Sequence, residues 1–162
     1  MVKFVVGICI VIFTSFCGFV FSKKYRKKKS FFTQMNEFNE RFLSEVAYYK
    51  RPIGEFIRKY AYSGEFSLLL EDFFVNLKSG EEQNGNFLEE YLFLSQDEKR
   101  FVSDYLSMLG RGDSASQKAY FQSQKNFLNQ YKTKSVEECK KYGDLYVKLG
   151  FLLGLAILVL IV

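Results

Sequence analysis

Two uncharged apolar runs stand near the two ends of the chain, and between them apolar positions recur at threes and fours. Residues 4–21, FVVGICIVIFTSFCGFVF, carry no charge over 18 positions, enough to cross a hydrocarbon core ~30 Å thick at 1.5 Å per residue. Residues 149–162, LGFLLGLAILVLIV, are shorter, but Leu145, Tyr146 and Val147 lengthen the run if Lys148 snorkels to the interface. The pattern predicts an N-terminal transmembrane anchor over 1–22, a basic juxtamembrane cluster over 23–29, a helical domain over 30–145 and a C-terminal transmembrane helix over 146–162. A cleaved signal peptide fits less well, because the basic cluster follows the apolar run and no small-x-small site is present. A lipoprotein signal would place small residues before its cysteine, whereas Phe16 precedes Cys17.

In the middle of the chain the period is that of helices. Phe31, Met35, Phe38, Phe42, Val46 and Tyr49 share one face of a helix continuing out of the first span. Pro52 opens a second helix with Ile53, Phe56, Ile57 and Tyr60 on one side, stopped at Ser63-Gly64. Residues 66–77 carry an apolar stripe wide enough for the centre of a core. Residues 79–86 have no period and read as a loop, and 87–94 read as a short helix. Ser95 with Glu98 has the form of a capping box for a helix that turns Phe101, Val102, Tyr105, Leu106 and Leu109 inward. It ends at Gly110-Arg111-Gly112-Asp113, where helix-stopping glycines explain the residues better than an integrin-type Arg-Gly-Asp does. From Ser114 one periodic run leads to the second span through Tyr120, Gln124, Phe127, Tyr131, Ser135, Glu138, Tyr142, Tyr146 and Leu149, near a seven-residue repeat. A homodimeric seam on that face is compatible with the pattern. The fold class is all-α: a helical bundle of about six helices between two transmembrane helices.

Composition supports that reading. The chain has 19 Phe, 11 Tyr and a single proline, so side-chain volume for one core is ample. The net charge of +5 is misleading, because six basic residues crowd into Lys23, Lys24, Arg26, Lys27, Lys28 and Lys29. Between residues 30 and 148, 16 basic residues face 18 acidic ones, about −2, a poor basis for binding nucleic acid. Those six side chains set topology and suit a lipid surface. With Lys132, Lys134, Lys140, Lys141 and Lys148 before the second span, the positive-inside rule places both termini outside and the domain in the cytoplasm. Gly150 and Gly154 have the spacing that lets two membrane helices approach closely. Cys9, Cys17 and Cys139 form no disulfide framework, and histidine is absent. No phosphate-cradling loop, triad or metal-spaced cysteine pair occurs, and the acidic pairs Glu71-Asp72, Glu81-Glu82, Glu89-Glu90 and Glu137-Glu138 read as solvated surface. We therefore expect neither enzyme activity nor a cofactor.

Three segments carry a resemblance: Leu43-Ser44-Glu45-Val46-Ala47-Tyr48 running to Pro52-Ile53, Leu109-Gly110 with Asp113 and Gln117, and Lys141-Tyr142-Gly143-Asp144-Leu145-Tyr146-Val147-Lys148-Leu149-Gly150. In these, and in its order of anchor, basic cluster, helical domain and anchor, the chain resembles stage III sporulation protein AB of endospore-forming bacteria. The resemblance implies a non-enzymatic membrane platform in the channel linking mother cell and forespore, required for endospore formation and held in the mother-cell membrane. It further implies a domain similar to the cytoplasmic domains of type II secretion and type IV pilus platform proteins. The partners implied are the sporulation ATPase of the same operon and other channel proteins. Glu45, Tyr48, Pro52, Gly110, Asp113 and Gln117 would then serve architecture or partner contact. A different class of function, a membrane-tethered sensor or regulator, would need a ligand pocket between helices, for which the aromatic stripes offer few polar groups.

Overall fold

No glycine or proline interrupts the chain between Gly18 and Pro52, and nothing there breaks a helix. The first apolar run and the first periodic segment accordingly form one helix, α1 (Val2–Tyr48), of 47 residues. This computed structural model describes residues 2–48, 55–56, 59–79, 88–111 and 113–161. Tyr49, Pro52, Ile53, Ile57, most of the expected 79–86 loop, Phe87 and Gly112 lie outside the described residues. α2 (Gly64–Ser79), α3 (Gln96–Ser107), α4 (Ser114–Glu138), a π-turn (Cys139–Gly143) and α5 (Asp144–Ile161) complete the order, and no strand occurs among the described residues. α4, the π-turn and α5 are continuous, so among the described residues four long unbroken helices stand where about six were expected. The difference arises because residues 88–94 are not a helix, and because the helix expected to open at Pro52 falls largely outside the described residues, with Glu55, Phe56 and Lys59 helical within it.

Two compact units are present: a helical body of residues 30–132, and a helical hairpin of residues 1–29 with 133–162. In the body, α1 contributes Phe31, Phe32, Met35, Phe38 and Phe42 to the core, α2 contributes Phe66, Leu69, Leu70 and Phe73, α3 Val102, Tyr105 and Leu106, and α4 Phe121 and Leu128. The rings interlock edge to face: Phe31 with Phe66 at 5.5 Å and 88°, Phe42 with Phe121 at 4.7 Å and 71°, Tyr105 with Phe121 at 4.9 Å and 76°. Each such pair adds ~0.5–1.5 kcal/mol beyond the area it buries. One polar group crosses this core: Asn39 accepts a hydrogen bond from the Tyr105 hydroxyl at 2.9 Å and donates to the Phe121 carbonyl at 3.3 Å, tying α1 to α3 and α4. Burial pushes the Tyr105 phenol well above its ordinary range, keeping it a donor.

α2 is less central than its wide stripe implied. Leu68 and Val75 are exposed, because a helix facing one core buries one face however apolar the other is. Residues 88–94 form consecutive tight turns, with Tyr91 N–H donating to Leu88 O and Leu94 N–H to Tyr91 O. Leu88, Tyr91, Phe93 and Leu94 all reach the core this way, a spacing too close for one helical face. The expected capping box closes: Ser95 accepts from Glu98 N–H, and the Glu98 carboxylate accepts from Ser95 N–H at 2.8 Å. α3 ends at Ser107 with Met108 as its cap, and the turn after it reaches Gly110, whose φ of 80° suits glycine.

Candidate functional site: a membrane hairpin and a carboxylate clamp

α1 and the run from α4 to α5 are each long and apolar enough to cross a membrane, and only 11% of either apolar window is buried. The core helix of a soluble protein would be mostly covered; here the apolar side chains Phe13, Phe16, Leu152 and Val159 face outward. The hairpin is antiparallel, held where side chains are smallest. A Cβ on Gly150 would lie 2.6 Å from Thr14 O and 3.2 Å from Gly18 Cα, one on Gly154 2.8 Å from Val11 Cα, and one on Gly18 2.5 Å from Tyr146 O. Backbones this close gain dispersion contacts, the kind of packing that suits helices in a membrane.

The π-turn explains how one helix serves both units. Its buried positions Phe121, Leu128 and Ser135 are seven apart, and the next is Gly143, with Gly150, half-buried against α1, seven beyond it. One extra residue has entered the repeat, turning the following helix by roughly 100°. Without it, Tyr142 and Leu149 would take the inward places, as the seven-residue pattern predicted; instead Leu149 and Tyr146 are exposed, and Phe127 on α4 is exposed as well.

At the basic end of the hairpin Tyr25 stacks on Tyr142 (5.5 Å) and Tyr146 (5.9 Å). Lys28 pairs with Glu138 at 2.8 Å, the two side chains 11% and 24% exposed. Lys23 lies over the Phe19 ring, and Arg26 lies over the same ring while donating to the Ser22 hydroxyl at 3.2 Å. Lys24, Lys27 and Lys29 are exposed on the same turns.

In the helical body Glu45 is only 5% exposed. Its Oε1 accepts from the Tyr60 hydroxyl at 2.6 Å and is ion-paired with Lys59. The Glu45 carboxylate, then Tyr60, raise the Lys59 ammonium above its usual range. Arg41 stands over the Tyr60 ring at 4.8 Å and the Tyr62 ring at 5.6 Å. A buried carboxylate answered by an ammonium and a phenol acts as a clamp, here fastening residues 59–62 to α1. Beside it, Tyr60, Tyr62, Leu70, Glu71, Phe74 and Val75 line an open groove of about 460 Å³. No group of three His, Cys, Asp or Glu side chains placed to hold a metal occurs among the described residues.

At the start of α4, Asp113 accepts from Ala115 N–H (2.8 Å), Ser116 N–H (2.9 Å) and the Ser116 hydroxyl (2.9 Å). The Ser116 amide, then its hydroxyl, then the Ala115 amide hold the Asp113 carboxyl below its ordinary value. Gln117 N–H donates to Asp113 O at 3.0 Å.

A model of the stage III sporulation protein AB family matches residues 3–162. The chain belongs to that family. It matches no curated protein and no solved structure.

The motif residues that carried the resemblance to the family fall into separate places. Glu45 is in the clamp; Gly110, Asp113 and Gln117 form one turn and helix start; Gly143 and Gly150 belong to the hairpin seam. Pro52 and the side chain of Tyr48 lie outside the described residues. Four partners were not anticipated: Asn39, Gly18, and the pair Lys59 and Tyr60. Asn39 had a signal, an amide one residue from Phe38 and three from Asn36, beside the apolar face of the helix. Gly18 is four residues from Thr14, a small pair on α1 matching the one on α5. Nothing local marks Lys59 and Tyr60, which stand 14 and 15 residues along the chain from Glu45.

Proposed function

We propose that this member of the stage III sporulation protein AB family is a non-enzymatic platform in the membrane channel between mother cell and forespore. Both termini would lie outside and the helical body in the cytoplasm, coupled to the ATPase of the same operon and to other channel proteins. One observation carries the reading: a single helical body is continuous with two outward-facing apolar helices, and all the lysines beside the two apolar runs except Lys3 stand at the same end of their hairpin. That charge distribution favours retention of this end in the cytoplasm. Glu45 and the turn from Gly110 to Asp113 act as structure in this reading, with the exposed neighbours of the turn available to a partner.

Co-purification of the full chain in mild detergent with the ATPase of its operon tests the coupling. Capture that survives high salt supports the platform, and failure with both proteins folded removes the ATPase from the reading. The groove of about 460 Å³ beside the clamp favours a second reading, a membrane-tethered sensor binding a small aromatic or apolar ligand there. Saturable ligand-induced stabilisation lost in Val75→Trp would point to that reading.

A further inference from the structure

Alongside the glycine crossing, one side of the hairpin carries a second groove of about 260 Å³. Gly18 and Gly150 form its floor, Phe21, Leu149 and Leu153 its walls, and Tyr146 stands at one end. The floor is low because neither glycine has a side chain, while the walls are tall. A third membrane helix packs closely only where walls as well as floor are small, so this shape suits a flexible hydrocarbon chain. The tyrosine end is also cationic. Cys17, Phe21 and Lys24 follow one another at four and three residues on one face of α1, placing Lys24 a turn beyond the wall. The Lys141 ammonium lies 5.2 Å from the centre of the Tyr142 ring, which stacks on Tyr25. An apolar trough therefore opens toward aromatic rings and two exposed lysines, the order of chemistries along an anionic phospholipid from acyl chain to phosphate.

We infer that this groove is a binding site for one anionic glycerophospholipid, its acyl chain over Gly18 and Gly150 and its headgroup between Lys24 and Lys141. The site rests on the reading of the hairpin as membrane-spanning. It gives the hairpin a preference for lipid charge at one defined place, beyond the general attraction of a basic end for a membrane surface.

The chain contains no tryptophan, so a single substitution supplies a reporter. Phe21→Trp places an indole in the groove wall, and Phe13→Trp places one on an outward surface of the same helix, 67% exposed. Each variant is reconstituted as the full chain in phosphatidylcholine vesicles carrying increasing fractions of brominated phosphatidylglycerol or brominated phosphatidylcholine. Phe21→Trp should reach half-quenching at an about 25-fold lower fraction of the anionic lipid, each of the two lysines conferring about fivefold. Adding Lys24→Gln should lower that ratio about fivefold, and Phe13→Trp should show no preference. Equal quenching by the two lipids at Phe21→Trp, or a preference unchanged by Lys24→Gln, would overturn the site. Shielding of Phe21→Trp from both lipids would overturn it in favour of a covering protein helix. Absence of quenching at Phe13→Trp would remove the membrane reading, and this site with it.

Discussion

In the hairpin the helices meet backbone to backbone at Gly18, Gly150 and Gly154, whereas in the helical body rings such as Phe42, Tyr105 and Phe121 interlock between them. The two regions solve the same problem, holding helices side by side, by different means. Water drives large rings together, so the body gains from bulk. On the membrane-spanning reading of the hairpin, lipid offers no such drive between helices, so the hairpin gains from close approach, and bulk there points outward. Helix α1 obeys both rules along one chain: glycine and threonine are its contact residues early, phenylalanine its contact residues later.

Removing bulk from the body should produce the largest effect. Phe121→Ala deletes a fully buried ring that meets Phe42, Tyr105 and Tyr120, and should cost ~3–5 kcal/mol. Chemical unfolding of the full chain in detergent, followed by near-ultraviolet circular dichroism, reads that loss, and amide exchange in residues 4–21 should stay unchanged. Adding bulk to the hairpin is the converse and should come next. Gly150→Leu drives a side chain into Thr14 O and Gly18 Cα, and should cost ~1–3 kcal/mol, at the upper end because backbone cannot yield. Faster exchange in α5 with the body protected is the outcome to look for; protection unchanged in α5 would mean that the seam is not held by close approach.

The third effect is smaller and polar. Asn39→Leu leaves the Tyr105 hydroxyl and the Phe121 carbonyl without their partner in the core, worth ~1–3 kcal/mol. Tyr105→Phe in the same background should recover part of that loss, by sparing a buried hydroxyl. The smallest effect is at the exposed cap. Because the Asp113 carboxyl is held below its ordinary value, its contribution is fully present above the pKa of the unfolded chain and fades as pH falls through the folded pKa. Asp113→Ala should therefore melt a few degrees below the parent at neutral pH, and the gap should close in acid below the ordinary carboxylate range. A gap independent of pH would mean that the carboxylate charge plays no part.

Much of this was legible in residue order, for identifiable reasons. Long uncharged runs predict spans because hydrocarbon length is fixed, and the Ser95–Glu98 box predicts a helix start because both partners are local. Asp113 and Gly110 are readable for the same reason. Misreadings occurred where several faces compete: α2 exposes Leu68 and Val75, and residues 88–94 fold as turns because four side chains seek one core. The clamp was half legible, since Glu45 stood out in its motif, while Lys59 and Tyr60 meet it from 14 and 15 residues away in the chain.

The sequence by itself determined that this is an all-helical chain of one family with two apolar helices and a basic boundary. Those properties follow from local period, charge position and run length, which no later packing can alter. Only the tertiary structure decided which face of each helix is inside. Phe121, Leu128 and Ser135 keep a seven-residue repeat that the π-turn at Cys139–Gly143 displaces by one, bringing Gly143 and Gly150 inward and turning Leu149 out. That choice lies in a single inserted residue, and the physical reason is non-local: glycine gains from α1 only once α1 is beside it.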